Sequence, residues 1–160
     1  MTPLEIAYAS GGSDLIIDTI EATSSAWAAP LLICSGFEDR VCQTEDGRIL
    51  LFKAIAFEEG LPVQDGSGFQ NLLIALDNTD GKVQDNVETA KKAEARVTLI
   101  KRRYLESNME YPSSHYRLSL LDRTYEKNLA SLTCGVYDLL GTSFPRGVLT
   151  ANIAPGLIYI

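Results

Sequence analysis

The stretch at residues 41–55, VCQTEDGRILLFKAI, predicts a β-hairpin. Two apolar segments, 41–44 and 48–55, flank Glu45-Asp46-Gly47, and Asp-Gly between such segments is a strong signal for a tight turn joining antiparallel strands. Segments rich in apolar and β-branched residues recur on both sides of it, which favours further strands. We place these strands at residues 15–23, 27–34, 69–76, 96–105, 115–121 and 129–137.

One convincing helix interrupts the strands. It starts at residues 78–81, and Val83, Val87 and Ala90 then recur at the spacing of one apolar helical face. A second, short helix is predicted at the N-terminus, where residues 2–5 form a capping box with proline at the first helical position.

These elements predict an α+β fold. Seven or eight strands with mostly strand-to-strand connections favour a single β-rich domain, mainly an antiparallel sandwich or split barrel, with one packed helix and the short N-terminal helix. A chain of 160 residues suits one such domain over 1–160. We expect no transmembrane helix and no signal peptide, because neither pattern of apolar residues is visible.

The composition gives few signs of chemistry. A net charge of −7 argues against nucleic acid as the main partner, since duplex binding requires a basic face. The single histidine, His115, has no recognisable catalytic partner and is expected to be exposed or structural. The odd count of cysteines (Cys34, Cys42 and Cys134) predicts free buried thiols, with a Cys34–Cys42 disulfide as the weaker alternative.

Three charged motifs have plain structural interpretations. The segment 77–81, DNTDG, fails the register of a calcium loop and is expected to cap the helix. The acidic pairs at 38–39 and 45–46 adjoin turn signals and are expected to be solvated tips. The basic cluster at 101–103 is expected to be a solvated strand end, or to form ion pairs across a subunit boundary. We assign no catalytic residue, cofactor or metal ligand, so the sequence favours a structural or binding protein over an enzyme.

The last quarter of the chain predicts a docking arm at 139–160. It carries a Gly- and Pro-containing apolar segment and ends on Leu157-Ile158-Tyr159-Ile160, an unusual finish because termini are normally polar. Such residues can serve as buried anchors and hydrogen-bond donors of an interface. Completion of the monomer's own core is the alternative, and it stays open. The candidate interface residues are Leu139, Leu140, Phe144, Pro145, Arg146, Leu157 and Tyr159.

Short motifs in a fixed order resemble a family of small bacteriophage tail proteins, known mainly as a domain of unknown function, from the tail modules of siphophages. They are TPLEIAYAS at 2–10, SGFED at 35–39, EDGR at 45–48, LDN at 76–78, ARVTL at 95–99, YDLL at 137–140, FPR at 144–146 and APGL at 154–157.

The resemblance implies a structural protein of the tail tip, similar in role to distal tail proteins. Such a protein forms a ring, expected to be a hexamer, and contacts the tail tube, tape-measure and hub proteins. It is located in the virion tail, is assembled in the host cytoplasm, and binds neither membrane nor specific nucleic acid. The net negative charge predicts acidic side chains facing a channel through which DNA passes. A tail terminator at the other end of the tube is the first alternative, and a small enzyme or ligand-binding module is the second.

Overall fold

The computed structural model describes residues 5, 14–60, 71–78 and 81–135, which contain nine strands and one complete helix. The elements are β1 (Ile16–Ser24), β2 (Leu31–Cys34), β3 (Arg40–Gln43), β4 (Ile49–Ala54), β5 (Phe57–Gly60), β6 (Asn71–Asp77), α1 (Lys82–Lys92), β7 (Val97–Leu105), β8 (Ser114–Glu126) and β9 (Leu129–Gly135).

The strands form one sheet in the order β3-β4-β2-β1-β7-β8-β9-β6-β5. Every neighbouring pair is antiparallel except β2 and β4, which are parallel. The prediction of a β-rich, mainly antiparallel α+β domain with a packed helix is therefore confirmed.

The two ends of this sheet meet at one bend. Strands β4 and β5 lie near opposite ends of the sheet order, yet only Ile55 and Ala56 separate them along the chain. The amide of Ile55 donates to the carbonyl of Cys34 on β2, and the amide of Asp77 on β6 donates to the carbonyl of Ala56. Ile55 thus hydrogen-bonds to a strand near one end of the sheet and Ala56 to a strand near the other end. The sheet therefore curls into a split barrel.

The main core lies inside this barrel. Alternate residues of the strands point inward, as the pleat requires, and the helix adds its apolar face: Val83, Val87 and Ala90 are buried, which confirms the predicted stripe. The strand residues of this core include Ile20, Ile33, Leu72, Ile74, Leu76, Leu99, Leu118 and Leu132.

Helix α1 closes one end of the barrel. Asn78, at the end of β6, accepts hydrogen bonds on Oδ1 from the amides of Val83 and Gln84 at 3.1 and 3.3 Å. This confirms the predicted capping role of the segment, because these amides belong to the first helical turn, where no backbone acceptor exists. Trp27 Nε1 donates to the carbonyl of Asn86 at 2.6 Å and attaches the helix to the β1–β2 connection.

A second core lies outside the barrel. The hairpin of β3 and β4, predicted from the sequence, folds over the outer face of β2, β1 and β7. Its Cys42 and Phe52 pack against Ile17 and Tyr104. The hydroxyl of Tyr104 donates to the carbonyl of Gln43 at 2.9 Å.

Several element bounds differ from the prediction. Strand β5 was not predicted because its sequence, FEEG, is polar, and it forms by pairing with β6. Strand β8 continues to Glu126 through the polar residues 122–126, and Lys127, with φ of 51°, lies in the two-residue turn to β9. Strand β2 starts at Leu31, four residues later than predicted. Of the predicted N-terminal helix only Glu5 is described, and it is helical.

Candidate functional site

The basic cluster at 101–103 is at the centre of two sets of ion pairs. Arg102 is fully buried, its Nη1 donates to Glu21 Oε2 at 2.7 Å, and its Nε donates to Glu45 Oε2 at 2.6 Å. Arg48 approaches the other oxygen of Glu21 at 3.0 Å and Asp46 at 3.5 Å. The expectation of a solvated strand end is wrong for Arg102, because the hairpin turn folds down over it. Its ion pairs with Glu21 and Glu45 are made within the chain.

The geometry sets the charges in this ionic cluster. The hydrogen bonds from Arg102 lower the pKa of Glu45 to about 2, against the opposing effect of burial. Burial alone would lower the pKa of Arg102, but the hydrogen bonds that Arg102 donates to Glu45 and Glu21 more than compensate and raise it. Glu45 and Arg102 therefore stay ionised at neutral pH, which suits a fixed ionic contact between the hairpin and the barrel.

Lys101 and Arg103 form the second set of ion pairs, inside the barrel. Lys101 is buried and pairs with Glu59 of β5, and its Nζ lies 3.8 Å from Asp18. Arg103 Nε approaches Asp18 Oδ1 at 2.9 Å. Three strands separate β5 from β7 in the sheet order, so the Lys101–Glu59 pair crosses the interior.

The acidic pairs differ in their surroundings. Glu45 was expected to be a solvated tip, and that expectation is wrong because its carboxylate binds Arg102. Asp46 is exposed, and so are Glu38 and Asp39, although Asp39 Oδ1 accepts a hydrogen bond from the amide of Ala54 at 2.9 Å.

The remaining chemical candidates are the histidine and the three cysteines. His115 is exposed, as predicted, and lies opposite Arg102 in the β7–β8 register. Cys34, Cys42 and Cys134 are free and buried, as predicted. Burial raises the pKa of Cys34, and raises it to about 11 for Cys42 and about 12 for Cys134, so these thiols are poor nucleophiles. Within the described residues no cluster of potential metal ligands is present, and no helix is long and apolar enough to cross a bilayer.

An acidic groove of about 650 Å³ lies on the outer face of the barrel, between the β2–β3 loop and strands β5, β6, β8 and β9. Its floor is apolar, with Phe57, Ala75 and Leu129, and Phe37 lies fully exposed at its edge. The charged residues that line it are all acids: Glu58, Asp77 and Glu126.

Two strips of exposed apolar side chains were missed from the sequence. The hairpin strip comprises Val41, Ile49 and Leu51 on the outer face of β3 and β4, and the back strip comprises Leu73, Leu121 and Leu129 on the outer face of β6, β8 and β9. These six side chains are between 42% and 71% exposed. The sequence does contain a signal for these strips, because apolar residues occupy consecutive strand positions at 49–52, 72–73 and 120–121. Consecutive residues of a strand point to opposite faces, so both faces of these strands are apolar.

The predicted interface residues Leu139, Leu140, Phe144, Pro145, Arg146, Leu157 and Tyr159 lie outside the described residues, as does the rest of the predicted arm at 139–160.

Strand β9 is the last described strand before the predicted arm. β9 ends at Gly135, which pairs with Asn71 at the start of β6, whereas the other ends of these two strands adjoin α1. Strands β5 and β9 therefore end, and strands β1 and β6 begin, at the barrel end opposite the helix, here called the open end.

The chain matches the family model of DUF1833, described as a domain of unknown function, over residues 4–148. The chain belongs to this family. The match covers the barrel, the hairpin and most of the first half of the predicted arm, so all the sites described above except the final apolar residues lie within the family domain. No curated protein matches the chain.

Proposed function

We propose that this chain is a structural component of a bacteriophage tail tip, a ring-forming adaptor that joins the tail tube to the hub and continues the DNA channel. The resemblance of its ordered motifs to small siphophage tail proteins supports this function. A hexameric ring is the expected assembly, by analogy with distal tail proteins.

The observation that carries the proposal is the distribution of chain segments around the barrel. Strands β5 and β9 end, and strands β1 and β6 begin, at the open end, whereas α1 closes the other. Four strand ends on one side of the domain suit an adaptor that is attached to a neighbouring component through that side.

The interior of the domain supports a mechanical role. The ion pairs of Arg102 fix the hairpin to the barrel wall, and the Lys101–Glu59 pair joins opposite sides of the barrel. Ion pairs of this kind impose a defined geometry, because leaving any member unpaired in the interior is costly. The net charge of −7 suits a channel that does not retain DNA.

Deletion of the gene from the phage that encodes this chain tests the function. We expect negative-stain images to show tubes of normal length with an incomplete tip, and infectivity to be restored by the gene supplied in trans. Tubes of irregular length, or tails detached from heads, would instead indicate a terminator. Complete and infectious tails would refute an essential structural role.

A further inference from the structure

We propose that an extended segment of a partner protein, in which apolar and basic residues alternate, adds to the sheet as a further strand along the free edge of β5. In such additions the main-chain hydrogen bonds give the affinity and the neighbouring side chains give the specificity. The proposal goes beyond the tail-tip function and does not depend on it, because it rests on β5 and the acidic groove beside β5.

Strand β5 has one unpaired edge. It is at one end of the sheet, and among the described strands it pairs with β6 alone. The amide of Asp77 donates to the carbonyl of Ala56, which lies directly opposite it when the β5–β6 register is continued. Hydrogen-bonded pairs alternate along an antiparallel ladder, so Glu58 also bonds to β6. The backbone groups of Phe57 and Glu59 therefore point away from β6, and they have no backbone partner in the described part of the chain.

This free edge is accessible to solvent. Glu59 is exposed as a residue, although its side chain is only 25% exposed because it pairs with Lys101. The accessible part of Glu59 is therefore largely its backbone. An exposed edge with unused donors and acceptors is a template for another strand.

The other end of the sheet is less suitable for strand addition. By the same alternation, Val41 and Gln43 carry the outward backbone groups of β3. The amide of Gln43 donates to the carbonyl of Met109, and its carbonyl accepts from the hydroxyl of Tyr104 at 2.9 Å. The chain thus covers Gln43 itself, and β5 offers the more complete edge.

The acidic groove lies beside the free edge of β5. The start of β5 and the β2–β3 loop both line it, so a strand added to β5 would run between them. Phe37 of the loop is fully exposed, and a Cβ added at Gly36 would meet no atom within 4 Å. The loop side of the groove is therefore open.

Charge favours a basic partner segment. Glu58 is on the edge strand itself, and Glu126 lies on β8, farther across the groove. Both residues are exposed, and neither has an ion pair within the described ranges. Asp77 also lines the groove, but Lys53 and Lys82 line the adjoining cavity with it. Glu58 and Glu126 are therefore the groove carboxylates whose charge is available to a partner.

The two faces of the sheet determine the alternating pattern, because consecutive side chains of an added strand point to opposite faces. On the outer face, a lysine or arginine lies beside Glu58 and can place its charge on the ring of Phe37. On the inner face, an apolar residue lies beside Phe57, which packs against the core. A second copy of this chain is disfavoured as the occupant, since pairing two β5 edges brings two copies of Glu58 together.

Amide exchange of the isotope-labelled chain, followed by NMR, is the first test. The probe is a blocked seven-residue peptide of alternating lysine and valine. We expect saturating peptide to slow exchange of the Phe57 and Glu59 amides by about tenfold or more, because these amides enter a hydrogen-bonded ladder. The amide of Glu58 is the internal control, since it already bonds to β6 and should change little.

Variants of the groove test the chemistry of the partner. Glu58→Lys should weaken peptide binding by about tenfold, because repulsion replaces attraction beside the added strand. Phe37→Ser should weaken binding by about twofold to fivefold, the loss expected for one exposed cation–π contact. Glu110→Lys is the matched control, since Glu110 is exposed and does not line the groove. It changes the net charge equally and should bind the peptide like the wild type.

Methylation of the peptide backbone tests the strand geometry. Only alternate amides of an added strand face β5, so N-methylation of one alternate set should abolish binding and N-methylation of the other set should be tolerated. A peptide with glutamate in place of lysine should not bind.

Four results would overturn the inference. They are no binding of the lysine peptide, equal binding to Glu58→Lys and the wild type, binding of both methylated peptides, and slow exchange of the Phe57 and Glu59 amides without peptide. The last result would mean that another segment of the chain, or a second copy, already occupies the edge of β5.

Discussion

Arg102 Nη1 lies 2.7 Å from Glu21 Oε2, and both side chains are buried where the hairpin turn folds against the barrel wall. Glu45, from the turn itself, accepts hydrogen bonds from Nε and Nη2 of the same guanidinium. The planar fork of an arginine suits two carboxylates at once, which a lysine could not match. This contact couples the hairpin, and with it the hairpin strip, to the barrel.

Replacing Arg102 should strongly destabilise the fold. Arg102→Met leaves the buried carboxylate of Glu21 with one partner fewer, and breaking a buried pair in this way costs about 3–5 kcal/mol. Urea unfolding measures the loss. Arg40→Ala is the control, since Arg40 pairs with the half-exposed Glu106 and should cost less than about 1 kcal/mol. Equal losses for the two variants would contradict the role assigned to Arg102.

The stability of the protein should fall on the acid side because of Glu45. Its pKa in the folded protein is about 2, below the value of 4.5 that is usual for a glutamate, so its contribution to stability is complete above pH about 4.5 and is lost as the pH falls towards 2. The free energy of unfolding, measured by urea titration at several pH values, should therefore decline less steeply over this range in Glu45→Gln than in the wild type. Asp46→Asn, a change at the exposed neighbour, should keep the wild-type slope.

The split barrel could be predicted only in part from the sequence. The hairpin at 41–55 and the stripe of α1 follow from local patterns, and both are confirmed. The pairing of β5 and the closure at Ile55–Ala56 could not be predicted, because they depend on contacts between distant strands rather than on the polar sequence of β5 itself.

The ionic cluster was misjudged for a related reason. Glu45 and Asp46 are neighbours in one turn signal, and only the folding of the hairpin over β7 distinguishes the paired carboxylate from the exposed one. Turns are normally expected to be exposed to solvent. The turn at 45–47 is an exception, because it packs against β7 of its own domain.

Removing the helix cap should weaken α1. Asn78→Ala deletes the acceptor for the amides of Val83 and Gln84 and should cost about 0.5–2 kcal/mol in urea unfolding. Asn78→Asp retains an acceptor oxygen at the helix N-terminus and should lose markedly less. Similar losses of stability for both variants would show that Asn78 does not stabilise α1 by accepting these hydrogen bonds.

The three thiols should be protected in the native protein. Cys34, Cys42 and Cys134 are buried and their pKa values are raised, so iodoacetamide at pH 8 should label them only as the protein unfolds. Mass spectrometry counts the labelled cysteines with and without urea. Rapid labelling of any one of them in the folded protein would contradict the packing of the hairpin or of the barrel interior.

Gold-labelled antibody against this chain, applied to purified particles of the phage that we propose to encode it, tests the tail-tip proposal most directly. We predict that label is concentrated at the end of the tail farthest from the head and disappears in particles that lack the gene. Label at the junction of head and tail, or intact infectious particles that carry none of this chain, would contradict the proposal.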